Sequence, residues 1–149
     1  AAPERVDRLV LACTSARFGE PDYWHERARV VREQGTAAVA DAVVARWFTP
    51  DMPQHVVARF RQTLEAMPRE PYARCCEALA SWDARARLGE IRPPTLVIAG
   101  EADASTPIVH AELLAQGIGA PLVAIERAAH LANVERPVQF NRAILELPA

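Results

Sequence analysis

The chain has 149 residues, half of them hydrophobic, with 17 arginines and no lysine set against 19 acidic residues for a net charge of -2. That length suits one domain or part of one, the apolar fraction excludes wholesale disorder, and the charge balance excludes a general nucleic-acid binder, which carries a basic surplus. Arginine at every basic position, together with abundant alanine and 12 prolines, reads as genomic composition bias, so no single arginine is marked by composition.

No run of about 18 apolar residues is present, so no membrane-spanning helix is expected. The start, Ala1-Ala2-Pro3-Glu4-Arg5, lacks the basic and apolar regions of a signal peptide, and it lacks Met. Cys13, Cys75 and Cys76 are odd in number and two are adjacent, which is poor geometry for a disulfide framework. Reduced thiols in a cytoplasmic protein are the expectation. No C-x-x-C or H-E-x-x-H spacing occurs, so no metal site is expected.

In chain order, Leu9 to Cys13 forms a short apolar run and predicts a buried strand. From Phe18 to about Trp82 the pattern is helical. Asp22 is a candidate cap for a helix through Glu33 closed by Gly35, and Thr36 for a second helix running to Trp47 and stopped by Thr49-Pro50. A third helix is predicted from Pro53 to Met67, a fourth from Tyr72 to Ser81, and a short one over Asp83 to Leu88 ending at Gly89. The remainder alternates: strand Thr95 to Ala99, helix Pro107 to Gln116, strand Leu122 to Ile125, helix from Pro137 through Leu147. Continuous apolar strands alternating with helices predict an α/β fold with a parallel sheet.

Two loops follow predicted strand ends, where ligand sites of parallel sheets lie. The first, Gly100 to Pro107, carries Asp103, and the second, Arg127 to Asn133, carries His130. On neighbouring strands they would meet, and a carboxylate against an imidazole fixes its tautomer and stabilises its charged form: the acid–base half of a nucleophilic triad. The plainer alternatives are that Asp103 caps the following helix, as Ser105 or Thr106 could, and that His130 is structural. Glu101 is a rival acid placed early in the turn. His25, His55 and His110 fall on predicted helices without partners and are read as surface residues.

The order strand–G-x-x-D–helix–strand–H–helix is similar to the C-terminal third of α/β-hydrolases, in which the nucleophile precedes acid and histidine. P-T-L-V-I-A-G-E-A-D-A-S-T-P resembles the acid loop and A-A-H-L-A-N-V-E-R-P the histidine loop. The helical block resembles the cap inserted in that fold. More narrowly, R-V-D-R-L-V-L-A-C-T-S-A-R-F-G, W-H-E-R, A-D-A-V-V-A-R-W-F-T-P and C-C-E-A-L-A look like the 3-oxoadipate enol-lactonases, which open an enol-lactone in aromatic catabolism without a cofactor. The resemblance implies a partial α/β-hydrolase fold: a core strand in residues 1–17, a four-helix cap in 18–82, and the acid and histidine loops in 83–149, three parallel strands in all. It implies Asp103 and His130 as catalytic residues, and a small carboxylate-bearing ester or lactone as substrate. It implies no cofactor, metal, nucleic acid or membrane. Trp47 and Arg46, in the R-W-F-T-P segment, are candidate substrate contacts; the alternatives are that Trp47 packs the cap and Arg46 is solvated.

One departure matters. The serine nucleophile of that family sits in G-x-S-x-G, and none of Ser15, Ser81 and Ser105 has those glycines. The family's glycine-bearing oxyanion loop has no counterpart either. The resemblance therefore implies a partner, the N-terminal half of a hydrolase bearing the serine; the other readings are a non-catalytic fragment or interaction module with an unpaired sheet edge, and an α/β-hydrolase acting on another ester or on a C–C bond.

Overall fold

In the computed structural model, which describes residues 3–146, the run Thr95–Gly100 (β2) is a strand buried along its whole length. It lies between Leu9–Ala12 (β1) and Leu122–Ile125 (β3), both parallel to it, in the order β1-β2-β3. Alternate side chains of β2 leave on opposite faces. Leu96 and Ile98 meet Ile125, Ala128, Ala132 and Ala143 on one side, while Val97 and Ala99 meet Leu88, Ala111 and Leu114 on the other. Both faces are covered by helices, which is why the strands read as unbroken apolar runs.

Four helices connect β1 to β2: Pro21–Gln34 (α1), Ala37–Val44 (α2), Gln54–Glu65 (α3) and Arg69–Ser81 (α4). α1 and α4 pack through Ala28, Ala73 and Cys76, and Arg32 ties them by ion pairs to Glu70 at 2.8 Å and Glu77 at 2.6 Å. α2 and α3 enclose a second core of Ala40, Val43, Val44, Phe48 and Leu64 that reaches Leu131 and Val134 beside His130. The segment leaves and returns at one place: the Ala84 N–H donates to the Ala16 carbonyl at 2.8 Å, and Arg17 and Asp83 form an antiparallel bridge. A 3-10 turn over Arg85–Glu90 leads to β2. Ile108–Ile118 (α5) links β2 to β3, and Ala132–Glu135 (α6) and Pro137–Leu145 (α7) follow.

The elements match the sequence expectations closely, and the differences have local causes. Asp22 is not a cap; Pro21 opens α1 and Asp22 sits in its first turn. Thr36 makes no cap bond, because its hydroxyl donates instead to the Glu65 and Met67 carbonyls at 3.0 and 3.2 Å. α2 ends at Val44, short of Trp47, where Arg46 N–H and Trp47 N–H turn to carbonyls three residues back and tighten the chain. α4 starts earlier than Tyr72, since Pro71 falls in a first turn whose N–H groups need no helical partner. The turn before β2 is 3-10 and runs past Gly89 to Glu90. α6 is too short to leave a periodic signal. Of the last predicted helix, Leu147 lies outside the described residues.

Candidate active site

Asp103 and His130 meet at the carboxyl edge of β2 and β3. His130 Nδ1 lies 2.9 Å from Asp103 Oδ2, with the aspartate side chain wholly buried. Two backbone features bring the loops together. At Gly100 an added Cβ would fall 2.2 Å from the Ala129 carbonyl oxygen and 2.5 Å from that of Ala128, so glycine is what lets the histidine loop lie on the end of β2. The Ala102 N–H then donates to Ala128 O at 2.9 Å.

Asp103 is held on every side. Ser105 N–H and Thr106 N–H donate to Oδ1 at 2.7 and 2.9 Å, and the Thr106 hydroxyl donates to Oδ2 at 2.7 Å. Burial pushes the carboxyl up, but the hydrogen bonds from His130 and from both Thr106 groups, with the His130 charge, outweigh it and leave the acid below its ordinary value. An ionised Asp103 requires a proton on His130 Nδ1, leaving Nε2 as the free base. Asp103 therefore does not cap α5; Pro107 occupies the cap position with no side-chain bond. Glu101 is exposed, away from this contact.

A second carboxylate fixes the histidine loop from below. Glu135, 7% exposed, accepts the Ala129 N–H with one oxygen and, with the other, the Thr49 N–H at 2.8 Å and hydroxyl at 2.6 Å. Beside it the Leu131 N–H donates to Trp47 O at 3.0 Å. The segment carrying Trp47 is thus bonded directly to the loop carrying His130. The sequence reading passed over Glu135 and weighed Thr106 only as a possible helix cap; the signal for their part in the site is proximity to the two singled-out residues.

His130 opens onto a cavity of about 360 Å³. Ser105, Thr106 and His110 form its floor with His130; Phe18, Tyr23, Trp24, Arg27, Arg46, Trp47, Tyr72 and Leu79 are among its other walls. Both predicted contact residues, Arg46 and Trp47, line it. Arg46 Nη2 donates to the Tyr23 hydroxyl at 3.0 Å, and Trp47 both borders the cavity and packs on the α2–α3 core. His25 and His55 are exposed as expected, but His110 is not a surface residue: it is half-buried with Nδ1 2.6 Å from Ser15 Oγ. The two lie 95 positions apart, on the loop after β1 and on α5, which no local pattern reveals. Ser15 is buried, its hydroxyl donates to Arg17 O at 2.5 Å, and its partner is His110, not His130. Among the described residues no cluster of metal-ligating side chains forms, and no helix is long and apolar enough to cross a membrane.

No protein-family model matches the chain. Individual proteins do. The 3-oxoadipate enol-lactonase 2 of Acinetobacter baylyi is 40% identical over 146 residues, 95% of this chain and 54% of that protein. A hydrolase from Pseudomonas aeruginosa superposes with a TM-score of 0.90 at 41% identity, over 98% of this chain and 57% of the other. Over the shared length the chain has the fold of the C-terminal part of an α/β-hydrolase. An enol-lactonase from Burkholderia xenovorans shares this hydrolase architecture with a TM-score of 0.91 and 36% identity, over 97% of this chain and 56% of that one. The chain spans about half the length of the curated relatives it matches. In an α/β-hydrolase sheet the carboxyl ends of the strands carry the chemistry, which is where Asp103 and His130 stand.

Proposed function

We propose that this chain carries the acid–base half of a serine hydrolase acting on a small ester or lactone, of the kind of 3-oxoadipate enol-lactone, in aromatic catabolism. The observation that carries the reading is the 2.9 Å contact of His130 Nδ1 with a buried, fully hydrogen-bonded Asp103, with His130 bordering an aromatic-lined cavity. His130 Nε2 takes the proton of a serine hydroxyl as it attacks the carbonyl, then returns it to the leaving oxygen; Asp103 holds the tautomer and stabilises the imidazolium. The two relatives named as enol-lactonases support the substrate class. Trp47 and Arg46 contact the substrate, and residues 18–82 act as its cap.

The nucleophile and the oxyanion donors belong to the half of the relatives' length that this chain does not span. That half docks on the unpaired edge of β1, opposite β2. Ser15 does not replace the nucleophile in this reading, since its hydroxyl donates to the Arg17 carbonyl and the histidine beside it is His110, not the Asp103-bound His130. By this reading the chain alone turns over neither lactone nor nitrophenyl ester.

The test is complementation. The chain is joined to, or co-expressed with, the N-terminal half of the Acinetobacter baylyi enol-lactonase, and hydrolysis of 3-oxoadipate enol-lactone and of p-nitrophenyl acetate is followed. Restored turnover that disappears with His130→Ala supports the reading. A stoichiometric acyl-enzyme burst from the chain alone, or a restored enzyme indifferent to His130→Ala, overturns it.

A further inference from the structure

The cavity that His130 borders has a second imidazole in its floor. His110 lies in the first turn of α5, four residues after the Thr106 that holds Asp103, and its Nδ1 is 2.6 Å from Ser15 Oγ. The other bonds of Ser15 fix the roles in that contact. Its hydroxyl lies 2.5 Å from the Arg17 carbonyl, so close that the proton must stand between the two oxygens, and Oγ also accepts the Arg17 N–H at 3.1 Å. A hydroxyl has one proton to give, so the proton shared with His110 belongs to Nδ1. In the uncharged ring the lone pair is then on Nε2.

Nε2 has no hydrogen-bond partner among the described residues, and it is not sealed off, since no buried side-chain nitrogen or oxygen among them lacks one. Ser15 borders a second cavity, of about 370 Å³, that meets the first at Gly19 and His110, and it is not among the walls of the first. The Nδ1 edge of the ring is thus turned to one cavity and the opposite edge to the other, where His130 stands. The two histidines repeat one arrangement, with Nδ1–H tied to an oxygen behind the ring and Nε2 left over. They differ in that oxygen. The Asp103 carboxylate stabilises an imidazolium strongly enough to draw a proton from a serine, whereas the Ser15 hydroxyl does not. Joining the loop after β1 to α5 calls for a hydrogen bond but not for an imidazole with an open second nitrogen, so packing does not account for histidine here.

We propose that His110 Nε2 is a second acid–base group of this cavity, which converts the enol released from an opened enol-lactone into the ketone. This deepens the hydrolase reading and rests on it. A lactone whose ring oxygen sits on a C=C carbon opens to an enol rather than an alcohol once His130 has returned a proton to that oxygen. An enol O–H is far more acidic than a serine hydroxyl, and an imidazole without a carboxylate behind it suffices. Nε2 takes the O–H proton, the oxygen pair closes a C=O, and the C=C pair takes the proton back from Nε2 at the neighbouring carbon. One O–H and one C=C are lost, one C–H and one C=O are gained, and His110 is returned uncharged with its Nδ1–H still on Ser15. An ester that releases an ordinary alcohol or phenol makes no call on this step.

The conversion needs no nucleophile, so the chain by itself tests it in the reverse direction. The purified chain is incubated in deuterium oxide with 4-oxopentanoate, a keto acid, and proton NMR follows exchange at carbon 3, beside the ketone. Exchange is expected on the order of 10²-fold faster than with an equal concentration of free imidazole, the low end of what a positioned acid–base group supplies. His110→Ala should abolish the excess, and added imidazole should restore exchange beyond the sum of imidazole and variant measured apart. His110→Gln, which fills the space, should abolish it without rescue, and it serves if the alanine variant does not fold by circular dichroism. His130→Ala should lower exchange less than threefold. A wild-type chain no faster than free imidazole, a His110→Gln chain that exchanges as wild type does, a folded His110→Ala chain that imidazole does not rescue, or exchange that disappears with His130→Ala each overturns the assignment. The two readings fail separately: a complemented enzyme without lactonase activity whose chain still exchanges through His110 removes the hydrolase reading alone, and restored lactonase activity with no His110-dependent exchange removes this one alone.

Discussion

Gly100→Ala isolates the contact on which the whole site depends. The new methyl would fall 2.2 Å from Ala129 O and 2.5 Å from Ala128 O, both backbone atoms that no rotamer change can move. Unstrained carbon–oxygen contacts begin near ~3.3 Å, so the histidine loop must retreat by about 1 Å. The Ala102 N–H bond to Ala128 O, at 2.9 Å, and the His130–Asp103 contact, also 2.9 Å, both lie across the gap that opens. Overpacking of this kind costs about 1–3 kcal/mol, which for a chain of this size lowers Tm by roughly 3–10 °C. The loss of register is the sharper signal, because a displacement of 1 Å at a catalytic group costs on the order of 10²-fold in rate. Calorimetry gives the first quantity, and the downfield Nδ1–H proton resonance of His130 reports the second on the chain itself. A Gly100→Ala chain with unchanged Tm and an unchanged His130 resonance would refute the argument that glycine sets the approach of the two loops.

Three further outcomes are expected. Asp103 titrates below its ordinary 3.8 in the folded chain, so its contribution is fully present above that value and is lost as pH falls through the lowered folded value; urea midpoints of wild type should drop through this acid range while those of Asp103→Asn stay flatter. Glu135→Ala strands the Ala129 N–H and both Thr49 donors, a cost of about 3 kcal/mol or more, whereas Glu135→Gln, which keeps one acceptor, costs less; denaturant melts separate the two. In the complemented enzyme His130→Ala lowers kcat by on the order of 10³-fold or more, while Ser15→Ala stays within about twofold, and steady-state kinetics on p-nitrophenyl acetate tells them apart.

Much of this was legible in residue order. β2 and β3 are short apolar runs bounded by prolines and glycines, so strand type, direction and the loops at their ends follow from pattern alone. That put Asp103 and His130 side by side before any coordinates. What escaped were long-range pairings. Ser15 with His110, Thr49 with Glu135 and Arg27 with Tyr72 join residues whose local surroundings carry no trace of one another. Arg27 in particular sits in W-H-E-R looking like any other arginine of a helix surface, and only burial distinguishes it. Arg46 drew notice because its segment resembles a family motif, and it does line the cavity.

The stitch at the base of the helical segment has a consequence for how such a chain can change. Ala16 and Ala84 share a hydrogen bond and Arg17 pairs with Asp83, so the strands entering and leaving residues 18–82 stand one ladder rung apart. A tight turn could span that gap. The segment can therefore be shortened, or exchanged for a relative's, with little disturbance to the register of β1 against β2, provided the graft leaves the 16–84 rung in place and supplies a partner for Glu135. Inheritance of a new substrate preference would then require transplanting one contiguous stretch of gene.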